Sequence, residues 1–269
     1  MSGIKIGTIG SGSIVKSILD GVARTDGIEC RAVYSRSEEK GRALADTYGV
    51  KNVYTNLKSL YSDPELDYIY IASPNSLHYE QAKAALLHGK NVLCEKPFTS
   101  TLKEADDLIA IAKEKNLFLY ETIVTMYLPN FELLKQQLLK IGRMRLMMCN
   151  YSQYSSRYDS LLDGKVTNVF DPAFSGGCLQ DINFYNLYLT IGLFGKPQKA
   201  AYYPNLYKNG IDTSGVMILN YPDFVATLAG AKDTWGVNYA QLEGEKGYIY
   251  IKDGSNGIVS FRVVTKTSD

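Results

Sequence analysis

No run of five basic residues occurs in this 269-residue chain, and 29 lysines and arginines nearly balance 28 acids. The electrostatic footprint of a nucleic-acid binder is therefore missing. Cysteine is sparse: Cys30, Cys94, Cys149 and Cys178 are widely spaced and mostly sit in apolar or strand-like surroundings. That pattern suits reduced core thiols rather than a disulfide framework or a zinc site, and it implies a reducing, cytoplasmic compartment. No charged leader with a long apolar run opens the chain, and no segment approaches the roughly 18 apolar residues of a membrane span. Membrane partners are not expected. The two histidines are isolated and form no H-E-x-x-H pair, so no metal is expected either. The G-x-S-x-G elbow of serine hydrolases and the G-x-x-x-x-G-K-[ST] phosphate loop are absent too. A Tyr-x-x-x-Lys pair occurs at Tyr54 and Lys58, too early in the chain for a short-chain dehydrogenase.

What is present follows two grammars. Up to about residue 122, strand-like and helix-like periods alternate: strands at 4–9, 28–34, 67–72, 91–94 and 117–121, and helices at 13–24, toward Tyr48, at 77–88 and after 101. Capping-box patterns open two of the helices, at Ser35-Arg36-Ser37-Glu38 and at Thr101-Leu102-Lys103-Glu104. Such alternation predicts a parallel sheet with right-handed crossovers. Beyond residue 122 the spacing predicts a helix over 129–140, a tyrosine-rich strand over 143–154, an irregular stretch to Ser175 and an apolar helix over 178–194 stopped by Gly195. Strands then follow at 199–203, 214–220, 224–230, 239–243, 248–252 and 258–264, joined by hairpin-type turns. The expected architecture is α/β: a nucleotide-type domain over 1–122, then an α+β domain over 123–269 with a large, mostly antiparallel sheet.

The loops that end the predicted parallel strands carry the chemistry. Gly10-Ser11-Gly12-Ser13-Ile14 lies between the first strand and first helix, where a glycine turn lets backbone amides approach a pyrophosphate. The third small position of G-x-G-x-x-G is Val15 here, which is expected to loosen the helix on the sheet. The second strand ends in Ser35-Arg36 with no acid to hold a ribose 2′-hydroxyl. A hydroxyl and a guanidinium suit a 2′-phosphate, so NADP is favoured over NAD, although Arg36 also reads as a surface residue and Ser35 as a cap. Ser73-Pro74-Asn75 and His78 present polar groups at the same sheet edge, with His78 equally readable as structural. The fourth strand empties into Glu95-Lys96-Pro97, placing a carboxylate and an ammonium where open α/β sheets bind their ligands. In the second half, Gly176-Gly177 leads into a helix on which Asp181 and Tyr185 would share one face. An acid in so apolar a helix needs a partner or a task, and Tyr185 could equally be core.

Together these elements resemble the Gfo/Idh/MocA oxidoreductases, the relatives of glucose-fructose oxidoreductase and inositol dehydrogenase, over nearly the whole chain. The matching residues are Gly10-Ser11-Gly12, Ser73-Pro74-Asn75 with His78, Glu95-Lys96-Pro97, and Gly176-Gly177 followed by Asp181 and Tyr185. The resemblance implies a Rossmann domain followed by an open-sheet domain that often forms a homodimer. It also implies NAD(P)-dependent hydride transfer to or from a small sugar, cyclitol or related carbonyl/alcohol pair. On this view Lys96 polarises the substrate oxygen, Tyr185 carries its proton, Asp181 orients substrate or Lys96, and Glu95 supports the lysine and cofactor. Arg157 and Asn168 are further substrate candidates. Two departures stand out: many relatives have histidine where Tyr185 stands, and they run some tens of residues past this chain's last strand. The competing expectation is an NADP-binding sensor of the same fold without turnover.

Overall fold

The computed structural model describes residues 3–266, which divide into two compact units between Thr122 and Ile123. The first unit runs β1 (Ile4–Ile9), α1 (Ser13–Val22), β2 (Ile28–Tyr34), α2 (Glu38–Tyr48), β3 (Asn52–Tyr54), α3 (Leu57–Tyr61) and β4 (Tyr68–Ile71). It continues through α4 (His78–Leu87), β5 (Asn91–Cys94), α5 (Leu102–Glu114) and β6 (Leu119–Glu121). All six strands pair in parallel in the order β3-β2-β1-β4-β5-β6. This is the doubly wound order, which reverses between β1 and β4 and gathers the loops after the strands at one edge. Both faces are covered, as the alternation in β4 makes plain. Ile69 and Ile71 join one core with Leu86 of α4 and Leu108 of α5, whereas Tyr70 faces the other with Val15, Val33 and Leu44.

Two local expectations change. β3 and α3 form where no element was expected, because three residues are too short to display a period; the sheet has six strands rather than five. The cap of α2 is Ser37, whose hydroxyl accepts from Lys40 N at 3.4 Å, not Ser35. Tyr34 is still paired in the sheet, so the chain needs two further residues before it can turn into the helix. The second capping box forms as read: Glu104 accepts from Thr101 N at 3.0 Å and Thr101 from Glu104 N at 3.3 Å.

The second unit opens with α6 (Pro129–Gln137), β7 (Met144–Ser152), α7 (Tyr158–Leu162) and α8 (Phe184–Phe194). Six strands follow: β8 (Lys199–Leu206), β9 (Asp212–Asn220), β10 (Val225–Ala231), β11 (Tyr239–Gly244), β12 (Gly247–Lys252) and β13 (Phe261–Thr265). They form one sheet with β7 in the order β13-β12-β11-β7-β10-β9-β8, antiparallel except where β10 runs parallel to β7. Facing residues Met217, Leu228, Cys149, Ala240 and Ile251 pack with Phe131, Leu134 and Leu189 of α6 and α8. The adjacent cross-strand row, Ile218-Thr227-Met148-Gln241-Tyr250-Arg262, lies on the opposite, open face.

The helix expected over 178–194 is divided. Leu179–Asn183 forms a π-helical turn before α8 begins. The wide turn delivers the buried amides of Asn183 and Asn186 to Leu228 O and Ala229 O of β10, at 3.0 and 2.9 Å. The last strand begins at Phe261 rather than 258, since Ile258 adopts φ 33°, outside any strand conformation. No described helix is long and apolar enough to cross a membrane.

Candidate active site

Gly10 makes the turn after β1 at φ 120°, where a Cβ would lie 2.7 Å from Ala72 O. Only glycine fits, and its N–H donates to Tyr34 O at 3.3 Å. Gly12 caps α1 without a side-chain hydrogen bond, and nothing lies within 4 Å of where its Cβ would stand. The turn therefore offers open space at a helix N-terminus whose amides favour an anion, a cradle that fits a pyrophosphate. Ser11 is half-buried, while Ser13 and Ile14 are exposed at the start of α1. Val15 does not loosen the helix: it is fully buried between α1 and the sheet, where the core has a space of its volume.

Beside this turn, Ser35 is buried and accepts from Ser37 N at 3.3 Å, leaving the exposed Arg36 as the group able to meet a ribose phosphate. Ser73 donates to Gln81 at 2.7 Å, which ties the turn containing Pro74 and Asn75 to α4. His78 is 1% exposed. Its two ring nitrogens face Pro97 O at 2.9 Å and Ser73 O at 2.8 Å, bridging the turn after β4 to the one after β5. Burial pushes its pKa down against the pull of both carbonyls, and the ring ties the two loops together.

At the end of β5, Glu95 accepts from Tyr70 at 2.7 Å and from Thr122 at 2.8 Å. Burial and the adjacent carboxylate push the Tyr70 phenol well up, so it stays a donor. Glu121, paired with Cys94 across β5 and β6, accepts from Phe98 N at 3.0 Å just beyond the cis Lys96-Pro97 bond. Burial, with a contribution from Glu95, raises its pKa to about 7, while Lys96 opposes the shift. The half-buried Lys96 follows Glu95 directly, and the side chains of Glu95 and Glu121 are each held by a named donor.

In the second unit the glycine pair shapes a helix start. A Cβ on Gly176 would meet Val169 O at 2.6 Å, and one on Gly177, at φ 106°, would collide with the Asp212 carboxylate. Asp212 instead receives Leu179 N at 2.7 Å and the Tyr202 hydroxyl at 2.6 Å. Two residues on, Asp181 pairs with Lys232, which follows β10 and is almost wholly buried. Tyr185 packs edge-on against Tyr151, ring centres 5.8 Å apart, in a small cluster with Cys178 and Ile182. Arg157 and Asn168 are exposed at the starts of α7 and of a short 3-10 turn. All four cysteines are unpaired, and among the described residues no group of three or more His, Cys, Asp or Glu could hold a metal.

The family model described as "Oxidoreductase family, NAD-binding Rossmann fold" matches residues 4–122, and "GFO/IDH/MocA C-terminal domain" matches residues 135–250. The chain belongs to the Gfo/Idh/MocA oxidoreductase family. It is 40% identical over 249 residues to uncharacterized oxidoreductase YgjR of Escherichia coli (strain K12), covering 93% of this chain and 76% of that protein. It is 39% identical over 248 residues to scyllo-inositol 2-dehydrogenase (NADP(+)) IolU of Bacillus subtilis (strain 168), covering 92% and 76%. Among solved structures, KijD10, a 3-ketoreductase from Actinomadura kijaniata in complex with NADP and TDP-benzene, shares the fold. The TM-score is 0.86 at 21% identity, over 94% of this chain and 78% of that one. The first unit of this family member is thus an NAD(P)-binding Rossmann domain.

Within that domain, the loops carrying Gly10–Ile14, Ser35-Arg36, Ser73–Asn75 and Glu95-Lys96 all leave the C-terminal ends of neighbouring strands. Tyr70, Glu121 and Thr122 escaped the sequence reading, as did Lys232 in the second unit. The available signals were faint: an acid ending a short strand at Glu121, and a lysine directly after the small-residue run Ala229-Gly230-Ala231.

Proposed function

We propose that this protein is an NADP-dependent dehydrogenase or reductase that interconverts a secondary alcohol and a ketone on a cyclitol or sugar. The carrying observation is the glycine cradle and Lys96, next to the braced Glu95, at one edge of one parallel sheet. Gly10–Ile14 would hold the pyrophosphate, Arg36 the ribose 2′-phosphate and Asn75 the sugar edge of the cofactor, with Pro74 and Ser73 shaping the turn. When bound, the nicotinamide supplies or accepts the hydride. Lys96 polarises the substrate oxygen; its ammonium is an electrophile in the reducing direction and stabilises the alkoxide in the oxidising one. Tyr185 gives or takes the oxygen-bound proton, and Asp181 orients the substrate hydroxyls. The 39% identity to an NADP-dependent scyllo-inositol dehydrogenase supports the cyclitol class. The open sheet face around Met148, Gln241 and Tyr250 offers a surface for pairing with a second copy.

The test is absorbance at the reduced-nicotinamide band with scyllo-inositol, other cyclitols and sugars, each with NADP and with NAD. Turnover with NADP on a polyol, abolished in Lys96→Ala with cofactor binding retained, is the expected result. Cofactor binding without turnover on any of the panel would overturn it in favour of a sensor.

A further inference from the structure

Lys232 is a basic side chain buried beside a proposed reaction residue. Its backbone N–H continues the ladder of β10 by donating to Thr213 O at 2.8 Å, and its side chain is 8% exposed. A lysine so deep in a protein requires a partner for its charge. Three carboxylates are near: Asp181, Asp212 and Asp233. Two of them are satisfied by neutral donors, Asp212 by Leu179 N and the Tyr202 hydroxyl, and Asp233 by the Thr213 and Ser214 hydroxyls at 2.6 and 3.0 Å. The ammonium goes to Asp181 instead, the most solvent-accessible end of the pair at 34%, and also lies 5.8 Å from the Phe170 ring centre. Two buried side-chain amides and one glycine hold this geometry. Asn183 and Asn186 fix the π-helical turn and α8 to the carbonyls of Leu228 and Ala229, and Gly230 leaves room for Asn183, whose Cβ would be 2.6 Å from any added methyl. The strand that carries Lys232 thereby sets the position of Asp181.

We propose that Lys232 is a positioning residue for the reaction: it holds Asp181 as a carboxylate in one fixed orientation toward substrate. This inference rests on the proposed dehydrogenase reading. The ionisable groups set around the pair are the anions Asp212 and Asp233, the phenols of Tyr151, Tyr185 and Tyr202, and the Cys178 thiol on the same helix start. Burial keeps the Cys178 thiol and the Tyr202 phenol neutral. Removing the lysine takes away the cation paired with Asp181, which favours its protonation and its reorientation.

The experiment compares the pH profiles of kcat/KM for wild type, Lys232→Met and Lys232→Arg, together with NADPH titration. Lys232→Met is expected to lower kcat/KM at least about 10-fold at neutral pH and to move the acid limb of the profile up by about one pH unit or more, with NADPH affinity unchanged. Lys232→Arg keeps the charge and is expected to return the limb to its wild-type position. A Lys232→Met enzyme with wild-type kcat/KM and limb overturns the inference, and so does a loss equal at every pH that Lys232→Arg fails to rescue. Should Lys232→Met not fold, Lys232→Gln takes its place, with the same expected and overturning results. The two readings fail separately. A wild type without turnover defeats the dehydrogenase reading and this inference with it, whereas an active wild type with an indifferent Lys232→Met defeats the inference only.

Discussion

Replacing Glu121 with Gln tests the electrostatics beneath Lys96. Burial raises the Glu121 pKa from 4.5 to about 7. Between those values the folded chain keeps a proton that the unfolded chain has released, so stability falls as pH rises through that window and stays lower above it. The shift corresponds to about 3 kcal/mol of stability missing at pH 8 relative to pH 4. Glutamine carries no charge to desolvate, and its amide oxygen can still accept from Phe98 N. Glu121→Gln is therefore expected to match wild type near pH 4 and to exceed it at pH 8 by up to about 3 kcal/mol, a gain on the order of 10 °C in Tm. Urea unfolding of both proteins at pH 4, 6 and 8 measures this directly. The difference between them is the quantity to follow, because His78 slopes the other way. Burial lowers its pKa below 6.5, so its contribution is present above that value and is lost as pH falls. A difference that stays flat across pH, or a variant less stable than wild type at pH 8, would refute the reasoning.

Arg36→Ala should weaken NADPH binding by about 10- to 100-fold, the worth of charge-assisted hydrogen bonds to phosphate, and leave NADH binding unchanged. Fluorescence titration with both cofactors reads it, and an equal loss for the two would remove Arg36 from the 2′-phosphate. Gly177→Ala forces a side chain at φ 106° into the Asp212 carboxylate that caps Leu179. A loss of about 2–5 kcal/mol is expected from the strained backbone and the crowding together, and a urea midpoint at the wild-type value would contradict it.

The parallel half of the fold was legible because its signals are local and repeated. Each strand is an apolar run closed by a turn, and each helix has an amphipathic face, so Ile4–Ile9, Ile28–Tyr34 and Asn91–Cys94 could be bounded to the residue. β3 escaped because Asn52–Tyr54 has no room for a period. The π-helical turn escaped for another reason. Nothing in the spacing of Leu179–Asn183 marks a π-turn until the carbonyls of β10 are in place to receive Asn183 and Asn186. A single α-helix over 178–194 therefore missed the change of pitch at its start.

The site divides along the same line. Gly10, Lys96 and Gly177 announce themselves because an unusual backbone, or a charge at a strand end, is a property of the residue and its immediate neighbours. Their supports are properties of topology. Tyr70 reaches Glu95 only because β4 and β5 are adjacent in the sheet, and Glu121 shares its burial only because β6 closes beside β5. Lys232 meets Asp181 across 51 residues of sequence once β10 lies under the helix start. In a crossover fold, strands that touch are separated by a helix, so the groups that set the charge of a site come from distant stretches of chain. The protonation state of Glu121, and the electrostatic setting it gives Lys96, therefore exist only after the sheet has assembled, which is why a sequence can single out Lys96 as a candidate and remain silent about what surrounds it.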